Sequence, residues 1–151
     1  MPSSQYHHLL IISRSGGLVF SQTLSSGAAQ LSVNDLMLSG STFHSLHAIA
    51  AQVAPVHSSG IQRLESDTLA LQCFQSLTGV KFILTADAGT ADLEGTLLSV
   101  YTLYGEYVQK DPWQEPDMPI RSELFRKHIH SLFERLSQSS KSGSGRSSAR
   151  A

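Results

Sequence analysis

Residues 58–87 read SSGIQRLESDTLALQCFQSLTGVKFILTAD, and this stretch decides the fold. It contains three runs of strand-forming residues, Ile61–Glu65, Thr68–Gln75 and Val80–Thr85. Ser66-Asp67 and Leu77-Thr78-Gly79 separate them. Such connections are too short for a crossover, so neighbouring strands are expected to run antiparallel. Leu69, Leu71 and Cys73 alternate with Thr68, Ala70 and Gln72, which predicts a buried face carrying the first three. Phe74 interrupts the polar side and points to partial cover of the second face. Val80, Phe82 and Leu84 repeat the alternation.

Upstream, Tyr6–Ser13 and Leu18-Val19-Phe20 flank Ser15-Gly16-Gly17 and read as a β-hairpin. Thr23–Gln30 has loop composition. A helix is expected from about Ser32 or Asn34, with Ser32 and Asp35 forming a capping box. Leu36, Phe43, Leu46, Ile49, Ala50 and Val53 then recur at three- and four-residue steps, and Pro55 ends the helix. Gly40 lies inside this pattern, so either a neighbour packs closely there or the helix is irregular before it. Downstream, Leu93, Leu97, Val100, Tyr101, Tyr104 and Val108 form one helical stripe. Asp111–Pro119 carries three of the five prolines and forms a connector. A last helix places Leu124, Phe125, Ile129, Leu132, Phe133 and Leu136 on one side. From Ser137 the chain lacks large apolar residues and is expected to be disordered. The order β-β-α-β-β-β-α-α predicts an α+β domain, a five-stranded, mainly antiparallel sheet with helices packed on it. The long connection through the first helix lets the first strand lie beside a later one.

The chain has 151 residues, enough for one domain, with 40% apolar residues and only 15% charged. About a quarter charged is usual, so the surface is suited to meeting other proteins. A net charge of −1 offers no field for a phosphate backbone, and nucleic acid is not an expected partner. The single cysteine, Cys73, fits a reducing compartment. No apolar run approaches the ~20 residues that span a bilayer. Met1-Pro2-Ser3-Ser4-Gln5 resembles no signal peptide, and Pro2 excludes myristoylation. The expectation is a cytosolic chain that reaches membranes through partners.

Local chemistry is sparse. His44 and His47 lie three apart on a helix, but a metal needs further ligands, and the sequence has no HExxH and no second cysteine. Cys73 sits on an apolar alternation and reads as an inert core thiol. There is no GxSxG and no phosphate loop. No catalytic, cofactor or metal site is therefore expected. Trp113 in the connector has two readings, a lid on the core or an interface anchor. The first helix carries apolar and small residues on two sides, including Ala48, Ala50, Ala51 and Ala54, and can pack on both the sheet and a partner. The expected partner surface comprises Phe43, Leu46 and His47 from this helix, with Trp113, Met118, Pro119 and Arg121 from the connector.

Several blocks also resemble a known family. Ser58-Ser59-Gly60-Ile61, Leu64-Glu65, Asp67-Thr68, Leu71, Cys73 and Leu77-Thr78-Gly79-Val80-Lys81-Phe82 resemble the central block of synbindin-type subunits of the TRAPP vesicle-tethering complex. Phe43-His44-Ser45-Leu46 is similar to that family's first helix. Met118-Pro119-Ile120-Arg121 with Glu123-Leu124-Phe125 is similar to the lead-in to its last. The likeness runs from about Tyr6 to Leu136. It implies a longin-like domain over residues 1–137, with 138–151 as a disordered Ser/Gly/basic tail. It further implies a non-catalytic cytoplasmic core subunit, peripheral at Golgi and endoplasmic reticulum membranes and acting in ER-to-Golgi transport. Other TRAPP subunits and a Rab-family GTPase are the implied partners, the latter through a shared nucleotide-exchange surface. Some family members carry a large insertion between strand two and the first helix, where this chain has only Ser21–Val33. Competing readings are another longin-type trafficking protein, such as a small coat-adaptor chain or a SNARE regulator, and a small hydrolase built from scattered Ser, His and Asp.

Overall fold

The computed structural model describes residues 5–143. The elements follow the expected order: β1 (Tyr6–Ile12), β2 (Leu18–Thr23), α1 (Val33–Val53), β3 (Arg63–Glu65), β4 (Leu69–Gln75), β5 (Lys81–Asp87), α2 (Leu93–Tyr107) and α3 (Glu123–Gly143). The five strands form one sheet in the order β2-β1-β5-β4-β3. Each neighbouring pair is antiparallel. The first strand sits beside the last because the connection through α1 and β3 returns β5 to it.

Two helices cover one face. Leu9, Ile11, Ala70, Phe82, Leu84 and Ala86 from the strands meet Leu93, Leu97 and Val100 of α2 and Phe125, Ile129 and Phe133 of α3. Phe82 is at the centre, with ring centroids 5.7 Å from Tyr101 and 5.1 Å from Tyr104, both edge-on. The α2 stripe was read correctly in full. The α3 stripe needs one correction, since Leu124 is exposed while its neighbour Phe125 is fully buried.

α1 covers the other face. Its buried positions are Gly40, Phe43 and His47, over a smaller cluster of Leu10, Ile12, Cys73 and Ile83. The capping box is present: Asp35 N–H donates to Ser32 Oγ at 3.1 Å, and Ser32 N–H to Asp35 Oδ2 at 3.2 Å. Ala54 is extended because Pro55 follows it, and the helix stops there. The helix is continuous through Gly40, which rests on Ile12 and Leu18. Close packing is therefore the correct account of that glycine.

Of the β4 face expected to be buried, Cys73 is buried, but Leu69 and Leu71 are not. Ala70 is fully buried and Gln72 nearly so, whereas Leu69 is 40% exposed and Leu71 half-buried. Ala70 belongs to the cluster under α2 and α3, where a small residue fills the space; Leu69 and Leu71 lie on the thinly covered α1 face. Both faces of β4 carry helices, so hydrophobicity alone does not name the deeper one. Strand limits also shift. β3 begins at Arg63 because the Ile61 N–H is drawn to His47. β5 runs on to Asp87, opposite Leu69. α3 continues to Gly143, so the helix takes in Gln138–Gly143 of the expected tail. The Ser140 and Ser142 hydroxyls there donate to the carbonyls of Ser137 and Ser139. Residues 144–151 of that expectation lie outside the described residues.

Both sheet edges are protected. The connector runs beside β2, where Ile120 N–H donates to the Val19 carbonyl at 2.8 Å. The Arg126 guanidinium lies 4.9 Å from the Phe20 ring centroid. At the other edge β3 is only three residues long and carries Arg63 and Glu65, a short charged edge of the kind that resists strand pairing.

Candidate functional site

The expected partner residues fall into two places. On α1, Phe43 and His47 point into the sheet and are buried, so they support the surface from beneath. Leu46 faces out at 48% exposure. Leu38, Ile49 and Val53 are exposed with it, and their spacing sets them on the side of α1 away from the sheet. No Asp, Glu, Lys or Arg occurs between Asp35 and Arg63. Met37 and Val56 are exposed nearby in the sequence, so this uncharged stretch carries six large apolar side chains in water.

His47 is the support of this helix. Ile61 N–H donates to its Nδ1 at 3.1 Å. Nε2 therefore carries the proton and donates to Gln75 Oε1 at 2.8 Å. Gly60 lies against the ring with φ +106°, and a Cβ there would sit 2.6 Å from Nε2. Only glycine satisfies both the backbone and the space. The SSGI block thus serves to lock α1 to β4. Sequence reasoning missed the lock, although His47 follows Phe43 at the four-residue step of a shared face.

A second pair, with Lys81 buried and His44 partly exposed, stands on the same face. Lys81 Nζ lies 3.2 Å from His44 Nδ1. Burial holds the Lys81 ammonium below its usual range. Burial and the Lys81 charge together push the His44 pKa down, with a smaller push from His47. Burial raises the Cys73 thiol to about 11, in keeping with an unreactive core cysteine.

The second place is the connector between α2 and α3. Trp113 is 87% exposed, which excludes the core-lid reading. Met118 is 54% exposed, and Pro119 and Arg121 are exposed as well. The loop is held by its own polar groups. Trp113 N–H donates to Asp111 Oδ1 at 3.0 Å. The Gln114 amide donates to the carbonyls of Glu115 and Met118 at 3.2 and 3.1 Å. Ile120 anchors it in the core. Hydrogen bonds from Ser13 and Ser15 lower the Asp117 pKa. The two places flank the β1–β2 turn: Gly16 lies against the His44 ring, while Ser15 Oγ donates to Asp117 Oδ1 at 3.0 Å.

Among the described residues, no group of three His, Cys, Asp or Glu is placed to hold a metal ion. No helix among them is long and apolar enough to cross a membrane. The histidine rings with side-chain hydrogen bonds meet Asp87, Thr23, Gln75 and Lys81. None of these partners is the serine that the hydrolase reading requires.

A five-stranded antiparallel sheet with one helix on one face and two on the other defines a longin-like domain. The chain belongs to the Sybindin-like family, whose sequence model matches residues 6–136. It is 42% identical over 126 residues to trafficking protein particle complex subunit 4 of Dictyostelium discoideum, covering 82% of this chain and 93% of that protein. It is 41% identical over 109 residues to the Bos taurus subunit 4, covering 72% of this chain but only 50% of that one. The chain thus spans about half the length of the mammalian relatives it matches. Subunit 1 of the same complex in Rattus norvegicus is 26% identical over 94 residues, which is 61% of this chain and 65% of that one. Among solved structures, the gliding protein MglB of Thermus thermophilus aligns over 91% of this chain and 82% of its own, at 13% identity and a TM-score of 0.40.

Proposed function

We propose that this chain is a core subunit of a trafficking protein particle complex, and that it acts by assembly with the other subunits. The observation that carries this reading is the uncharged outer face of α1, where Leu38, Leu46, Ile49 and Val53 stand exposed. Leaving that area in water is unfavourable at about 25 cal/mol per Å² of apolar surface, and a neighbouring subunit removes the cost. The likeness to subunit 4 of Dictyostelium discoideum along nearly its whole length supports the choice of complex.

Within the complex, the chain contributes one patch to a composite surface that promotes nucleotide exchange on a Rab-family GTPase. Exchange of this kind needs no reacting side chain. A surface that binds the empty GTPase more tightly than the loaded one weakens nucleotide binding by the same factor. The connector supplies a suitable patch, with an exposed Trp113 near Met118 and Arg121. The assembly works in the cytoplasm, peripherally at Golgi and endoplasmic reticulum membranes, in ER-to-Golgi transport.

The test measures GDP release from the cognate Rab in the presence of the isolated chain and of the assembled core. Acceleration by the assembled core alone is expected. Rapid release with the isolated chain would overturn the composite surface. A chain that recovers no other subunit on affinity purification would overturn the assembly itself.

A further inference from the structure

The connector between α2 and α3 borders a cavity of about 570 Å³. Ser13, Arg14, Thr78 and Val80 from two hairpin turns line it, together with residues 114–118 of the connector. Over this span the backbone bonds to itself or to the end of α2. Asp111 N–H donates to the Val108 carbonyl, Gln114 N–H to Asp111 and Met118 N–H to Glu115. The Gln114 side chain also stays within the connector, donating to the Met118 carbonyl. The backbone reaches the sheet only at Ile120, whose N–H meets the Val19 carbonyl.

Before that point, among the described residues, Asp117 alone hydrogen-bonds across to the sheet. The Ser15 hydroxyl donates to its Oδ1 at 3.0 Å. The Ser13 and Ser15 hydroxyls lie 3.0 Å apart, and Gly17 N–H donates to Ser13 Oγ at 3.2 Å. Ser15 gives its proton to the carboxylate, so Ser13 is the donor to Ser15. A chain of donors thus ends on a charge, which strengthens its last bond. The turn beneath is closed by its own backbone, with Ser13 N–H on the Gly17 carbonyl at 2.8 Å. Asp117 has φ +64°, a left-handed backbone that glycine adopts more easily. What Asp117 adds over glycine at this position is the carboxylate.

We infer that Asp117 is a positioning residue: held by the β1–β2 turn, it keeps Trp113, Met118 and Arg121 in the arrangement that meets the GTPase. The inference rests on the exchange reading above and adds how this chain's part of that surface is set. Positioning acts on binding. When only a fraction of molecules carries the competent arrangement, the apparent dissociation constant rises by the inverse of that fraction. Saturating GTPase then restores the full rate.

The experiment uses the assembled core carrying one variant of this chain at a time. Ser15→Ala removes the donor without touching the connector. Asp117→Gly removes the acceptor and suits the left-handed backbone. Agreement between the two excludes the added freedom of glycine as the cause. Asp117→Asn keeps an acceptor oxygen and tolerates the same backbone. Ser15 and Asp117 are both exposed, so unfolding midpoints and recovery of the other subunits should match the parent. Ser15→Ala and Asp117→Gly are expected to raise the half-saturating GTPase concentration about three- to tenfold, the scale of one charge-assisted hydrogen bond open to water, with kcat unchanged. Asp117→Asn should recover most of that loss. In the isolated chain, amide hydrogen exchange at Gln114 and Met118 should quicken with the first two variants and not with the third. A parent-like half-saturating concentration in both Ser15→Ala and Asp117→Gly would overturn the inference and leave the exchange reading intact. A fall in kcat at unchanged half-saturation would also overturn it, by placing Asp117 in the exchange step itself. So would an Asp117→Asn loss equal to that of Asp117→Gly, which would assign the role to the charge. A parent core without exchange activity would remove both readings together.

Discussion

The same five strands support two quite different faces. Under α2 and α3 the packing is apolar and closed, with the Phe82, Tyr101, Tyr104 and Phe125 rings meeting edge to face. Under α1 the apolar cluster is smaller, and polar groups share the space: His47 with Gln75, Lys81 with His44, and a buried His8. Beyond them the face stays open along Leu69 and Leu71. The difference separates two tasks within one sheet. One face supplies the burial that holds the fold, and the other fixes a single helix by specific contacts while leaving surface for a partner.

The largest test of this division is truncation in the closed face. Phe82 is fully buried with three aromatic neighbours. Phe82→Ala is expected to cost about 3–5 kcal/mol, the usual range for an aromatic residue removed from a core. Leu71→Ala, half-buried on the open face, should cost less than half as much. Chemical denaturation of both variants measures the contrast. Equal losses would mean that the α1 face carries as much of the fold as the other.

The closed face was also the more legible of the two. The α2 stripe from Leu93 to Val108 follows a helical period that packing preserves, because each of its residues meets the same core. The β-meander and the limits of α1 were likewise readable from turns, a cap and a proline, whereas the end of α3 was not. The misreadings concentrate where a pattern has two solutions. Ala70 looks like the weak side of β4, yet it is the buried side, because its smallness suits the space under α2. Leu124 matched the α3 period but lies at its margin, exposed. At the candidate surface the residue types were visible and their directions were not. The stripe expected on α1 is split, since Phe43 faces the sheet while Leu46, Ile49 and Val53 face out. Trp113 lies in a connector without a period, so nothing local chose between lid and anchor. The opening over β4 arises from how far α1 extends across the sheet, a tertiary fact with no local signature.

An intermediate effect should come from the lock that fixes α1. Gly60→Ala forces a residue with a side chain to φ +106° and drives its Cβ against the His47 ring. The expected loss is about 2–3 kcal/mol, from left-handed backbone strain and the displaced ring together. In a His47→Ala background the steric part disappears and only the backbone part remains. The double-mutant cycle should therefore show a coupling energy of about 1 kcal/mol or more. Additive losses would show that Gly60 serves its own turn and does not hold α1, and the specific-contact account of the open face would fail.

The smallest expected effect is on pH dependence, and it belongs mainly to the α1 side. Burial lowers the His8 pKa below 6.5, with a further push from His7. Burial and Lys81 do the same to His44. Above pH 6.5 both rings are neutral whether the chain is folded or not, and they contribute no slope. As the pH falls below 6.5 the unfolded chain takes up protons first, so stability declines until the folded rings are protonated at their lower pKa. The alkaline side is shared by both faces: burial raises the Cys73 thiol on the α1 face from 9.0 to about 11, so the unfolded chain loses that proton first and stability falls as the pH rises past 9.0. Burial and Tyr101 raise the Tyr104 pKa above 10.0, so the unfolded chain loses that proton first and stability falls as the pH rises past that value. Asp117, lowered from 3.8 by its serine partners, enters only in stronger acid. Denaturation midpoints measured across pH should therefore show a shallow acid limb beginning near 6.5. The combined substitutions His8→Gln and His44→Gln should flatten that limb and leave the alkaline one intact. An acid limb that survives them would place the titrating group elsewhere, and the polar character of the α1 face would then have no thermodynamic consequence in this range.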